Sequence, residues 1–187
     1  MIVGDPGCFA LESEFIQAVP RLSQMAPGFF IIHVGGKAYG VREPDASMLG
    51  RSFHEVGDRL NRQGNHSAVF GPEHEGCSIA AAYLASFYCE EPRHDDFLGL
   101  SQAALREALI SNAIIWAPDG DEAFDDGSHV LQFDIGDKVR IIAFKNTEDP
   151  ADMPETLAEQ WLDADDFYDV LERWHRLFKR RWERALA

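Results

Sequence analysis

Val130-Leu131-Gln132-Phe133-Asp134-Ile135, then Gly136-Asp137, then Val139-Arg140-Ile141-Ile142-Ala143-Phe144, is the stretch that decides the fold. β-Branched and aromatic residues on both sides of a Gly-containing turn predict an antiparallel hairpin. Downstream, Leu157 to Leu162 reads as a further strand, and Asp163 with Asp166 three residues on resembles a helix N-cap with an acidic N3. The helix that follows places Phe167, Val170, Leu171, Trp174, Leu177 and Phe178 on one stripe. Its acids Asp163, Asp165, Asp166 and Asp169 come first and Lys179, Arg180, Arg181 and Arg184 last, an order that suits the helix dipole.

Upstream, residues alternate from Phe9 to Ile16, with Phe9, Leu11, Ser13 and Phe15 on one face, which predicts a half-buried strand. Phe29 to Val34 is a second strand, and Gly35-Gly36 before Lys37 to Val41 signals a hairpin. After Pro44, Asp45 or Ser47 is expected to cap a helix carrying Met48, Leu49, Phe53, Val56 and Leu60 and ending near Gly64. A buried helix is predicted from Ile79 to about Cys89, stopped by Glu90-Glu91-Pro92. Ser101 with Leu105, Ala108 and Leu109 reads as a third helix, Ala113 to Trp116 as a strand, and Asn146 to Pro154 as a surface loop. The expected architecture is one α+β domain over residues 1–187, an antiparallel sheet with helices packed on one side and a long amphipathic C-terminal helix.

The 187 residues carry 32 acids against 17 bases, a formal charge of −15, yet 45% of them are hydrophobic and 13 are Phe. Such a chain folds, and its surplus charge suits a surface that attracts cations or repels anions. It argues against direct nucleic-acid binding, which needs clustered Lys and Arg. Cys8, Cys77 and Cys89 form an odd set without CxxC spacing, which suits a reducing compartment. The first positive charge comes only at Arg21, after Asp5, Glu12 and Glu14, so no secretory signal is expected and the cytoplasm is the predicted location.

No HExxH, GxSxG, GxGxxG or phosphate-loop pattern occurs in the sequence. His66, His74 and Cys77 lie near one another without a recognised metal spacing, and no metal or cofactor is expected. The loop Asp119 to Gly127 departs from a calcium loop: Ala123 takes a ligand position, Phe124 replaces the required Gly, and Val130 stands where a bidentate Glu belongs. What the loop offers is five carboxylates in eight residues, Asp119, Asp121, Glu122, Asp125 and Asp126, beside Trp116 and Phe124. Carboxylates on a stiff scaffold steer a basic partner, and an exposed aromatic beside them supplies an anchor. These seven residues are the candidate partner-binding site, against the plainer reading of a solvated acidic face.

The opening Ile2-Val3-Gly4-Asp5-Pro6 with Phe9 to Glu12, the string Trp116 to Ser128, and Trp161-Leu162 leading into Phe167-Tyr168 and Trp174 resemble the bacterial immunity protein 42 family of polymorphic toxin systems. The resemblance spans the chain and implies a cytoplasmic protein that binds and neutralises a cognate toxin, without catalysis or cofactor. A basic nuclease would suit as that toxin, because it holds phosphates with cations that an acidic protein can cover. Two other readings stand beside it: a small hydrolase or transferase whose Cys, His and carboxylates meet only in the fold, and an adaptor marked by a large exposed apolar patch.

Overall fold

The computed structural model describes residues 1–89, 97–117 and 121–187. The first sheet is built from β1 (Ile2–Asp5), β2 (Phe9–Phe15), β3 (Pro27–Val34) and β4 (Lys37–Tyr39) in that spatial order, with β5 (Ser47–Met48) pairing the beginning of β3. Gly35 and Gly36 turn the β3–β4 hairpin with φ of 57° and 82°, the pair of positive values a two-residue type I′ turn requires. Phe9, Leu11, Ser13 and Phe15 are buried as their alternation predicts, but so are Ala10 and Glu12 on the opposite face. Arg42, just past β4, reaches back over that face, stacks on Phe29 and clamps Glu12 with its two terminal guanidinium nitrogens.

The helix after Pro44 begins later than its sequence suggests, and neither Asp45 nor Ser47 caps it. Ser47 and Met48 are held in β5, and α1 spans Gly50–Asn61. The amides of Leu49 and Gly50 donate instead to Ala26 O and Gln24 O, so the backbone, not a side chain, satisfies the first of the helix's orphan donors. α2 (Gly76–Tyr88) and α3 (Gln102–Ser111) follow, the latter capped by Ser101, whose Oγ accepts from Ala104 N at 3.2 Å. The stop signal Glu90-Glu91-Pro92 lies outside the described residues. The strand expected at Ala113 to Trp116 reduces to one bridge, Ile115 opposite Leu131. Ala113 takes the left-handed conformation, φ 49°, that ends α3 and turns the chain away from an extended path.

The second sheet runs β6 (Ser128–Ile135), β7 (Lys138–Lys145) and β8 (Ala158–Asp163) in order, all antiparallel. The segment expected as plain loop after Asn146 contains a 3₁₀ turn at Pro150–Asp152 and a short helix, α4 (Met153–Thr156). β8 leads directly into α5 (Ala164–Leu186). Asp163 starts α5 without a side-chain capping bond, because its carboxylate pairs with Lys138.

Two cores meet at this second sheet. Val130, Val139, Ile141 and Ala143 share one with the first sheet, α1 and α5, and Leu131, Phe133, Ile142 and Phe144 share the other with α2 and α3. Helices therefore do not lie on one side of a single sheet: the β6–β8 sheet is covered on both faces, as the nearly unbroken apolar run of β7 requires. α5 buries Phe167, Leu171, Trp174 and Phe178 as its periodicity predicts, while Leu177 is exposed and Tyr168 and Trp182 are buried instead. Its indoles are tied down, Trp174 Nε1 donating to Ser13 Oγ at 3.1 Å and Trp182 Nε1 to Met25 O at 2.9 Å. Each such side chain contributes roughly 1.5–3 kcal/mol through burial. Among the described residues no helix is long and apolar enough to cross a membrane.

Candidate functional site

The acidic loop is more deeply embedded than its composition suggests. Asp121 is only 8% exposed. Its Oδ1 accepts from Ala123 N at 3.1 Å, starting the 3₁₀ turn Glu122–Phe124, while Oδ2 lies 3.1 Å from Arg51 Nε. Asp126 accepts from Ser128 N at 3.2 Å and pairs with Lys145. Glu122 and Asp125 point outward and form no ion pair among the described residues, and Asp119 lies outside those residues. Of the carboxylates expected to face a partner, two are structural and two are free.

The exposed aromatic anchor expected here is overturned. Trp116 is 2% and Phe124 6% exposed, and both belong to the core. Trp116 packs beneath the Arg59 guanidinium, 4.7 Å from the ring centroid, and against Phe9 and Phe167. Phe124 meets Phe30 edge to face at 6.3 Å. Burial of a large ring outweighs the polarity of its neighbours in sequence, so the turn folds with its rings inward, and among its described residues only Glu122 and Asp125 keep their carboxylates exposed.

A cluster of polar groups lies buried where α1, β6 and α5 meet. Arg59, 1% exposed, donates to Gln132 Oε1 at 3.0 Å and to Ile115 O at 2.8 Å and pairs with Glu55 at 3.0 Å. Gln132 Nε2 donates to Tyr168 Oη at 2.9 Å and to Asp134 Oδ1 at 3.1 Å, and Tyr168 Oη donates in turn to Asp134. Burial lowers the Arg59 pKa to about 10, against the opposing pull of Glu55. Burial also raises the Tyr168 phenol, helped by the Asp134 charge. His66 Nδ1 donates to Ala113 O at 2.9 Å, and burial, then the Arg59 charge, lowers its pKa. One signal of this cluster is present in the sequence: Arg59 falls three residues after Val56 on the apolar stripe of α1.

On the first sheet, Glu12 accepts from His33 Nε2 at 2.8 Å as well as from Arg42. Burial alone would raise the Glu12 carboxyl, but the hydrogen bonds from Arg42 and His33 outweigh it and hold the group below the ordinary carboxylate range. Cys8 Sγ contacts Gln160 Oε1 at 3.9 Å, and among the described residues no hydrogen bond joins a cysteine to a histidine. His66, His74 and Cys77 do not converge: among the described residues no group of three His, Cys, Asp or Glu side chains is placed to hold a metal ion. The ionisable groups that the fold brings together act mainly as ties between elements.

Two antiparallel sheets and a long closing helix, in a chain of formal charge −15, define a small α+β protein. The chain belongs to the immunity protein 42 family, whose sequence profile it matches over residues 1–177. Its fold is similar to the crystal structure of CdiI from Burkholderia dolosa AUO158, with a TM-score of 0.51 and 18% identity over 92% of this chain and 97% of that one. No curated protein matches the sequence.

Proposed function

We propose that this chain neutralises a cognate toxin domain by binding it through an anionic surface in the cytoplasm, without transforming a substrate. Membership of the immunity protein 42 family over residues 1–177 is the observation that carries the reading, and the formal charge of −15 supplies its physical basis. A net anionic surface accelerates encounter with a cationic partner by long-range attraction and leaves short-range contacts to hold the complex. A nuclease is the toxin chemistry that fits, since its phosphate-binding cations are the surface such a protein would cover. Glu122 and Asp125, outward-facing and free of intramolecular ion pairs among the described residues, are the members of the acidic loop available for steering. Three free cysteines accord with a reducing compartment.

Co-expression with the toxin domain expected in the neighbouring reading frame tests the reading. That domain should arrest growth of a bacterial host when expressed alone and be tolerated with this chain. Growth arrest unrelieved by this chain would refute the proposal. Glu122→Lys with Asp125→Lys should slow association several-fold at low salt while leaving the unfolding midpoint unchanged.

A further inference from the structure

Three of the four tryptophans are buried in the core, and the fourth, Trp161 on β8, is 44% exposed. On a strand at the edge of its sheet, so large a ring leaves apolar area that a partner can bury. The ring is also fixed. Its Nε1 donates to Glu159 Oε1 at 2.9 Å, and Arg140, opposite it on β7, lies over the ring at 5.1 Å. Arg140 is itself locked, 3% exposed, by Glu159 Oε1 at 2.9 Å and by the carbonyls of His74 at 2.8 Å and Pro72 at 3.3 Å.

The same hydrogen bonds bring the segment 72–76 alongside. A Cβ on Gly76 would stand 2.3 Å from Glu159 Oε2, so the glycine leaves room for that carboxylate. Glu73 and Glu75 in this segment are exposed and unpaired among the described residues, and Asp163, two positions beyond Trp161 on the same strand face, is exposed beside Lys138. Arg140 and Lys138, the cations at this patch, are both engaged by carboxylates of β8. The surface is thus a rigid aromatic platform with an anionic rim. Tryptophan is enriched among residues that dominate binding energy, and an anchor already held in one rotamer loses little entropy on association.

We infer that Trp161 anchors the contact with the toxin domain, with Glu73 and Glu75 meeting cationic side chains beside it. The inference rests on the toxin-binding reading above and specifies its surface. It is a different patch from the acidic loop: Arg140, beside Trp161, and Lys145, which holds Asp126, are five residues apart on β7, about 17 Å at the rise of an extended strand.

The probe is the toxin domain recovered by co-expression with this chain from the neighbouring reading frame. Trp161→Ala should weaken its binding about 30-fold or more, Trp161→Phe less, and Glu73→Lys with Glu75→Lys should slow association about tenfold at low salt. In protein labelled with 5-fluorotryptophan, the Trp161 resonance should lose its sensitivity to solvent on complex formation while the three core resonances barely move. The unfolding midpoint of each variant checks the fold. Trp161→Ala binding within threefold of the parent, with the resonance still solvent-exposed in the complex, would overturn the assignment of this surface while leaving toxin binding intact. Absence of binding by the parent chain would overturn both.

Discussion

Replacement of Arg59 by Met removes a buried charge while keeping much of the side chain's volume, and its cost follows from the hydrogen bonds that disappear with the guanidinium. Gln132 Oε1 and Ile115 O are each deprived of a donor inside the protein. A buried acceptor left without its partner costs about 1–3 kcal/mol. Glu55, with a side chain 38% exposed, turns to water and adds little, whereas the Trp116 face loses its cation at 4.7 Å. The expected loss is about 3–5 kcal/mol, from the two orphaned acceptors together with the lost cation–π contact. Against a typical total of about 5–15 kcal/mol this is severe, and it corresponds to a drop in Tm of about 6–20 °C for a chain of this size. Urea unfolding followed by tryptophan fluorescence measures it, with the m-value expected to stay constant. Adding Gln132→Leu removes one orphaned carbonyl, so the double variant should be about 1–2 kcal/mol more stable than the sum of the single losses. An Arg59→Met protein within about 1 kcal/mol of the parent, or strict additivity in the cycle, would refute the view that this cluster ties α1 to the second sheet.

Other perturbations probe separate parts of the structure. His66 is held neutral because burial and the Arg59 charge lower its pKa, so the unfolded chain takes up a proton near the ordinary value of 6.5 while the fold resists it. Stability should therefore fall as pH drops below about 6.5. His175, also lowered by burial, acts in the same direction, and His66→Gln should flatten but not abolish the slope between pH 7 and 5; an unchanged slope would contradict the assignment. Gly28→Ala places a Cβ 2.1 Å from Glu14 O across the β2–β3 ladder, so a loss of about 3 kcal/mol or failure to fold is expected, and full retention of the midpoint would not fit. Ala113→Gly relieves a left-handed alanine and should raise stability by up to about 1 kcal/mol in the same urea assay, with no gain counting against the strain. Trp182→Phe removes the indole donor from Val19 O and from Met25 O, which keeps Val19 N, and should cost about 1 kcal/mol, whereas a neutral outcome would mean the end of α5 does not hold the Val19–Met25 segment.

The parts of the fold written in local pattern are legible in the sequence. The 130–144 hairpin, the Gly35-Gly36 turn and most of the α5 stripe, Leu177 excepted, depend on residues close in sequence and form where the pattern places them. Decisions made by distant residues were not legible. Ser47 and Met48 join a strand edge because Pro27 and Gly28 lie there to receive them, which no capping rule near Pro44 can reveal. Trp116 and Phe124 look available beside five carboxylates, but Phe9, Phe30 and Phe167 draw them inward from elsewhere in the chain. Burial of the second sheet on both faces could have been read from Val139 to Phe144, whose apolar residues occur on both faces. The charge of the candidate site was legible, but its geometry was not: Arg51 and Lys145 engage two of the carboxylates through ion pairs.

Purified toxin domain titrated with this chain at two salt concentrations tests the central claim most directly. The account expects a stoichiometric complex with a Kd of about 10 nM or tighter, toxin activity that falls in step with occupancy, and an association rate that drops steeply as salt rises. Full toxin activity in the presence of micromolar chain, with no complex formed at either salt concentration, would contradict it.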